Sequence, residues 1–165
     1  MKLLGVAILM LFLNGLCLCQ QAVDTDSIKL ISFDFQQTRQ LYHHNLHVNI
    51  KLFSSTSEMH IKSTPACGDK KCLKSAIDTI YQSTIKEFVE IRNAVLKISS
   101  IHMKDAQVSG FDGVNCSVGF GDGKTWIWYQ VWSPNTATKE RGLEEYVDAC
   151  KFIIRKAKLR YRQIL

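Results

Sequence analysis

The chain has 165 residues, 46% hydrophobic and 22% charged, with formal net charge +6. That balance is ordinary for a globular domain; it excludes a disordered polyelectrolyte and a collagen-like repeat. The length suits one domain with a real core.

Residues Met1 to Cys19 read as an export signal: Lys2, an apolar run from Leu3 to Leu13, Gly15, then Cys17 and Cys19 where small residues are needed. Cleavage after Cys19 leaves Gln20 at the new N-terminus and a single α+β domain, 20–165, with net charge +5. A lipid anchor on Cys19 competes, but it wants a small residue just before the cysteine, and Leu18 is large. The expected address is secreted or periplasmic. No later apolar run approaches about 18 residues, so no transmembrane span is expected after the signal.

Residues 20–27 are polar. Ile31, Phe33 and Phe35 then alternate with Ser32 and Asp34, the period of a half-buried strand. Val48, Ile50 and Leu52 alternate with His47, Asn49 and Lys51 in a second strand. Residues Ser54 to Ser57 form a turn, and Met59 and Ile61 open a third strand, with Leu52 set opposite Met59 and Ile50 opposite Ile61. Residues 64–75 read as a loop. Ile77 to Tyr81 fits either a short β-branched strand or the first turns of a helix.

Thr84 and Glu87 have the spacing of a capping box, which starts a helix at Thr84. Its stripe is Ile85, Phe88, Val89, Ile91, Val95, Leu96 and Ile98. Asp122-Gly123, between two apolar runs, predicts a type I′ hairpin. That register places Val118 opposite Ile127 and Cys116 opposite Tyr129 on a core face. On the other face Gly119 opposes Trp126, Ser117 opposes Trp128 and Gly113 opposes Trp132. Pro134 ends the strand. A last helix is expected from Thr138 to Gln163, acidic at its start and basic from Lys151 onward, which complements the helix dipole. The resulting fold is α+β: an antiparallel sheet of about five strands with two main helices on one face, in the order β-β-β-(β)-α-β-β-α.

Four cysteines follow the signal: Cys67, Cys72, Cys116 and Cys150. An even count in an exported chain suggests disulfides, and the expected pairs are Cys67–Cys72 and Cys116–Cys150, the second as a bridge or as packed thiols on core faces. A Cys₄ zinc site lacks a C-x₂-C pair.

The Ile31-Ser32-Phe33 strand, the Thr84 helix, Asp112-Gly113, Gly121-Asp122-Gly123-Lys124, Pro134 and the Leu143/Tyr146 helix together carry a resemblance. The chain resembles small uncharacterised exported proteins of Bacteroidetes-type bacteria. The resemblance implies an α+β fold and an extracytoplasmic address, and brings no catalytic residues. The tryptophans and cysteines depart from it.

Catalytic motifs are absent from the sequence: no G-x-S-x-G, no H-E-x-x-H and no phosphate loop. No catalytic residue, cofactor or metal is expected. His43, His44 and His47 form an H-H-x-x-H cluster, but a strand holds His43 and His47 about 13 Å apart, too far for one metal. The basic residues from Lys151 to the C-terminus would suit an anionic surface, with dipole complementation and solubility as the plainer explanation. Nucleic acid is not expected as a partner. All three tryptophans of the chain, Trp126, Trp128 and Trp132, fall on one strand. Its opposite face is committed to the core, so the indoles form either an open platform for a sugar, peptide or protein, or the underside of a second layer. The leading expectation is a non-enzymatic exported domain that binds a ligand through the Trp face. A disulfide-held inhibitor acting through the loop near Cys67 and Cys72 is the alternative, and a small hydrolase-like enzyme is third.

Overall fold

The computed structural model describes residues 24–37, 45–65, 76–100, 106, 108, 113–160 and 164. Six strands form one antiparallel sheet: β1 (Leu30–Gln37), β2 (Asn45–Leu52), β3 (Ser57–Thr64), β4 (Ile77–Ser83), β5 (Val114–Gly121) and β6 (Trp126–Trp132), in the spatial order β4-β3-β2-β1-β5-β6. Helix α1 (Ile85–Leu96) precedes the β5–β6 hairpin and α2 (Glu144–Lys156) follows it. The architecture is α+β with one strand more than the count of about five. The ambiguous segment is the sixth strand: β4 pairs with β3 along its whole length.

Alternation decides which face is covered. Ile31, Phe33 and Phe35 of β1, Leu46, Val48 and Ile50 of β2, and Cys116, Val118 and Phe120 of β5 are buried together with Phe88, Ile91, Tyr146, Cys150 and Ile153 of the helices. Both helices therefore lie on this one face. Tyr146 anchors α2 to the sheet by donating its hydroxyl to the Cys116 carbonyl at 2.7 Å. Lys156 Nζ ties α2 to α1 by donating to Glu90 Oε2 at 2.7 Å.

Helix α1 begins as its sequence dictates. The Thr84 hydroxyl accepts from the Glu87 N–H, and the Glu87 carboxylate accepts from the Thr84 N–H. Its buried stripe is narrower than expected: Phe88, Ile91 and Val95 are buried, while Ile85 is exposed.

Helix α2 is shorter than the expected 138–163 span, for a reason visible at both ends. Thr138 to Leu143 is a single turn closed by Leu143 N–H donating to the Thr138 carbonyl and Gly142 N–H to the Lys139 carbonyl, with Gly142 at φ +62°. Leu159 N–H to Ile154 O and Lys158 N–H to Arg155 O repeat that pattern at the far end, with Lys158 at φ +57°. Both are Schellman closures, which stop a helix by satisfying its last carbonyls. Lys151, Arg155 and Lys156 thus stand on α2, Lys158 and Arg160 lie beyond it, and Arg162 is outside the described residues.

Both hairpins keep the expected faces but pair two residues away from the expected register. Ile50 opposes Met59 and Val48 opposes Ile61, because Phe53 N–H bonds Thr56 O and the loop is Ser54-Ser55. In the second hairpin Val118 opposes Tyr129 and Cys116 opposes Val131. A type I′ loop needs positive φ at two successive residues. Among residues 122–125 only Gly123 has it, at +97°, so the loop is Gly123-Lys124 with glycine first, the sign pattern of type II′. Asp122 flanks the loop, its carboxylate accepting from the Lys124 and Thr125 N–H groups at 2.8 and 2.7 Å. These bonds hold its carboxyl below the usual carboxylate range.

Cys116 and Cys150 are buried free thiols, so the expected bridge between them is not made. The two side chains meet as thiols instead. Burial pushes both upward in pKa, and for Cys116 the nearness of Cys150 adds to the effect. Cys67 and Cys72 lie outside the described residues.

Candidate functional site: the open face of the sheet

The face opposite the helices carries the even-numbered residues of β1, β3, β4 and β6 and the odd-numbered residues of β2 and β5. Cross-strand partners line up in rows across it. One row runs Ile80, His60, Asn49, Ser32, Gly119, Trp128. The next runs Asp78, Lys62, His47, Asp34, Ser117, Gln130. A third ends in Gly121 and Trp126. The face is polar and charged at the β4 side and aromatic at the β6 side.

Trp126 and Trp128 are 44% and 48% exposed, and Trp132 is half-buried. Gly119 explains how Trp128 sits. A Cβ on Gly119 would fall within the Trp128 ring, so the indole lies down over the glycine rather than standing off the sheet. A Cβ on Gly113 would likewise strike Trp132, whose ring leans over Gly113 although its partner in register is Asn115. The expected partners were Gly119 for Trp126 and Ser117 for Trp128; the two-residue offset of the hairpin replaces them with Gly121 and Gly119. Trp126 opposes Gly121, a position where the Thr125 carbonyl, not the indole, fills the space of a side chain.

Inward from the tryptophans, the face is short and polar. Ser32 and Ser117 are buried, and the Ser32 hydroxyl donates to Asp34 Oδ2 at 3.1 Å. His47 Nδ1 pairs with Asp34 Oδ1. Farther out, His60 Nε2 pairs with Asp78 Oδ1 at 2.6 Å, and Lys62 with Asp78 Oδ2 at 3.4 Å. The His60 bond, ahead of Lys62, holds the Asp78 carboxyl below its ordinary range. Register places His60 opposite Asn49 and next to His47 on the diagonal. Each imidazole is nonetheless committed to its own carboxylate. Among the described residues no three His, Cys, Asp or Glu side chains are grouped to hold a metal. His43 and His44 lie outside them.

The Asp34–His47 pair can orient an imidazole, as catalytic dyads do. Here the nearby serine hydroxyl bonds the same carboxylate instead of facing the imidazole, so the arrangement has no activated nucleophile. The basic C-terminal residues are also partly engaged. Lys156 pairs with Glu90, and Lys158 lies over the Tyr81 ring at 4.9 Å. Arg155 and Lys156 both stand over Phe152.

Sequence reasoning passed over two features of this region. Arg141 is buried and donates to the carbonyls of Ala106, Trp132, Ser133 and Thr136, which fixes the end of β6. A lone arginine in a loop gives no sequence signal for that role. Asp34 is, in sequence, only the polar half of an alternation, yet it stands in the middle of the open face between His47 and Ser117.

No protein-family model, curated protein or solved structure matches the chain. No helix among the described residues is long and apolar enough to cross a membrane.

Proposed function

We propose that this chain is an exported, non-enzymatic binding domain whose open sheet face takes a glycan, with Trp126 and Trp128 as the stacking platform. The observation that carries this reading is the Trp128 indole lying over Gly119 with about half of its surface exposed. A flat aromatic ring presents its π face to the C–H face of a sugar, and it loses little entropy on binding because it is already held down. Two residues of strand advance about 6.7 Å, comparable with the length of one sugar unit, so Trp126 and Trp128 can serve neighbouring rings. Asn49, Gln130 and Asp34, inward along the same rows, offer donors and acceptors for hydroxyls. Neutral groups predominate beside the rings, which favours an uncharged polysaccharide over an acidic one.

The test is co-sedimentation with insoluble cellulose, chitin and peptidoglycan, followed by intrinsic-fluorescence titration with the soluble oligosaccharide of whichever retains the protein. Binding should quench or shift the tryptophan emission. W128A should weaken it by at least about tenfold, roughly 1.4 kcal/mol, with the fold unchanged by circular dichroism. Retention that is indifferent to both W126A and W128A would refute the reading.

A further inference from the structure

We infer that β6 is a pairing edge for a second copy of this chain, joining two sheets antiparallel through Trp126, Trp128 and Gln130. The phase of the β5–β6 ladder carries the argument. Ser133 N–H donates to Val114 O at one end, and Asp122 N–H donates to Thr125 O at the other. Antiparallel ladders alternate bonded and non-bonded pairs. The odd-numbered residues of β6 therefore spend their backbone groups on β5, and the even-numbered ones point outward. The outward carbonyl of Trp132 is taken by Arg141 Nη2 at 2.9 Å. For the outward N–H and C=O of Trp126, Trp128 and Gln130, no described residue supplies a partner.

Such an edge is a template for another strand, and proteins normally block it with a charge, a proline or a bulge. The two edges of this sheet differ in that respect. β4 carries Asp78, paired with His60 and Lys62. β6 has seven residues, none charged and none proline. In a chain of net charge +6, this is a stretch along which two copies can approach without setting like charges opposite each other.

One register uses every outward group. With a two-fold axis through Trp128, Trp128 faces its copy and Trp126 faces Gln130, which forms a complete set of bonded pairs and leaves the Arg141–Trp132 contact intact. Lys124 then falls opposite Trp132. On the helix side, Ile127 falls opposite Tyr129. Both belong to the core face yet are only half-buried in the single chain, and the second copy covers them. The joined open faces become one twelve-stranded surface with the tryptophans at its centre. The contact is isologous and closes at two chains. It is small, in the weak class below about 1,200 Å², so association in the micromolar range is expected.

Sedimentation equilibrium of the purified protein from about 1 to 100 µM, a range set by that weak class, should give the mass of two chains at the upper end. Q130P removes an outward donor that β5 does not use, and W128K puts a charge on the axis. Each should return the mass to one chain, while I80K on β4 should leave the dimer intact. A wild type that stays single throughout overturns the proposal. So does a dimer that survives both β6 variants or is lost in I80K. Hydrogen exchange on the wild type covers the case in which a variant misfolds. The Trp128 and Gln130 amides should gain protection as concentration rises, and concentration-independent exchange there also overturns it. Glycan retention by the wild type diluted into its single-chain range separates this interface from the binding reading, since the tryptophans and Gln130 are then all kept.

Discussion

The two faces of the sheet follow the same alternation and have opposite fates. Beneath the helices, Phe33, Phe35, Phe120 and Tyr146 are wholly removed from water. On the other side, the sheet presents His47, Lys51, His60, Trp126 and Trp128. Large aromatic rings occur on both sides, so ring size alone does not mark a core. What distinguishes them is company: the buried rings interdigitate with helix side chains, whereas Trp128 rests on a glycine with no layer above it among the described residues.

The sharpest way to break that contrast is to truncate one aromatic from each face. F33A should cost about 3–5 kcal/mol of unfolding free energy by chemical denaturation, as buried Phe truncations do. W128A should stay within about 1 kcal/mol of wild type, near the range of surface changes. Equal losses would mean that the Trp face is a second core.

A smaller effect is expected where the helix layer meets the sheet. Y146F removes the buried bond to the Cys116 carbonyl and should cost about 1–2 kcal/mol. The neighbouring thiols should ignore a thiol reagent until the protein unfolds, because burial holds both in the protonated form. Once unfolded they ionise near pH 8.5. The unfolded state then binds fewer protons, and stability should fall as pH rises past that point.

The start of α1 gives the next effect. T84A breaks the capping box and should cost about 1 kcal/mol. Glu87 is held below its ordinary pKa chiefly by the Thr84 N–H. A lowered carboxylate contributes stability that is present above its unfolded pKa and is lost as pH falls through the folded one. Acid titration of wild type against E87Q, which removes the titrating carboxylate, should therefore converge as pH falls below about 4, the ordinary glutamate range.

The smallest effect has the opposite sign. Ala137 holds φ +49° in the exposed turn before α2. A137G relieves a left-handed backbone that costs about 1–2 kcal/mol with a side chain, against about 0.4–1 kcal/mol for the added freedom of the unfolded glycine, and chemical denaturation should show a net gain of about 0.5 kcal/mol.

The sequence alone determined the α+β class, the face of each strand and the start of α1, because those are local matters. A period of two marks which side chains share a face, and a capping box closes within one turn of chain. It also placed three tryptophans on the face away from Ile127, Tyr129 and Val131. Tertiary structure decided the rest. Register shifted by two in both hairpins because moving a loop by one residue keeps every side chain on its face, so hydrophobic pattern cannot tell the alternatives apart. The segment 77–83 became a strand because β3 had a free edge to receive it, and its half-exposed alternation gave too weak a local preference. α2 stopped at Lys156 because Lys158 entered a left-handed closure that its residue type does not favour. Cys116 and Cys150 stand near each other in the core as thiols, because which side chains of β5 and α2 meet is set by how the two layers pack, and no local sequence pattern records that.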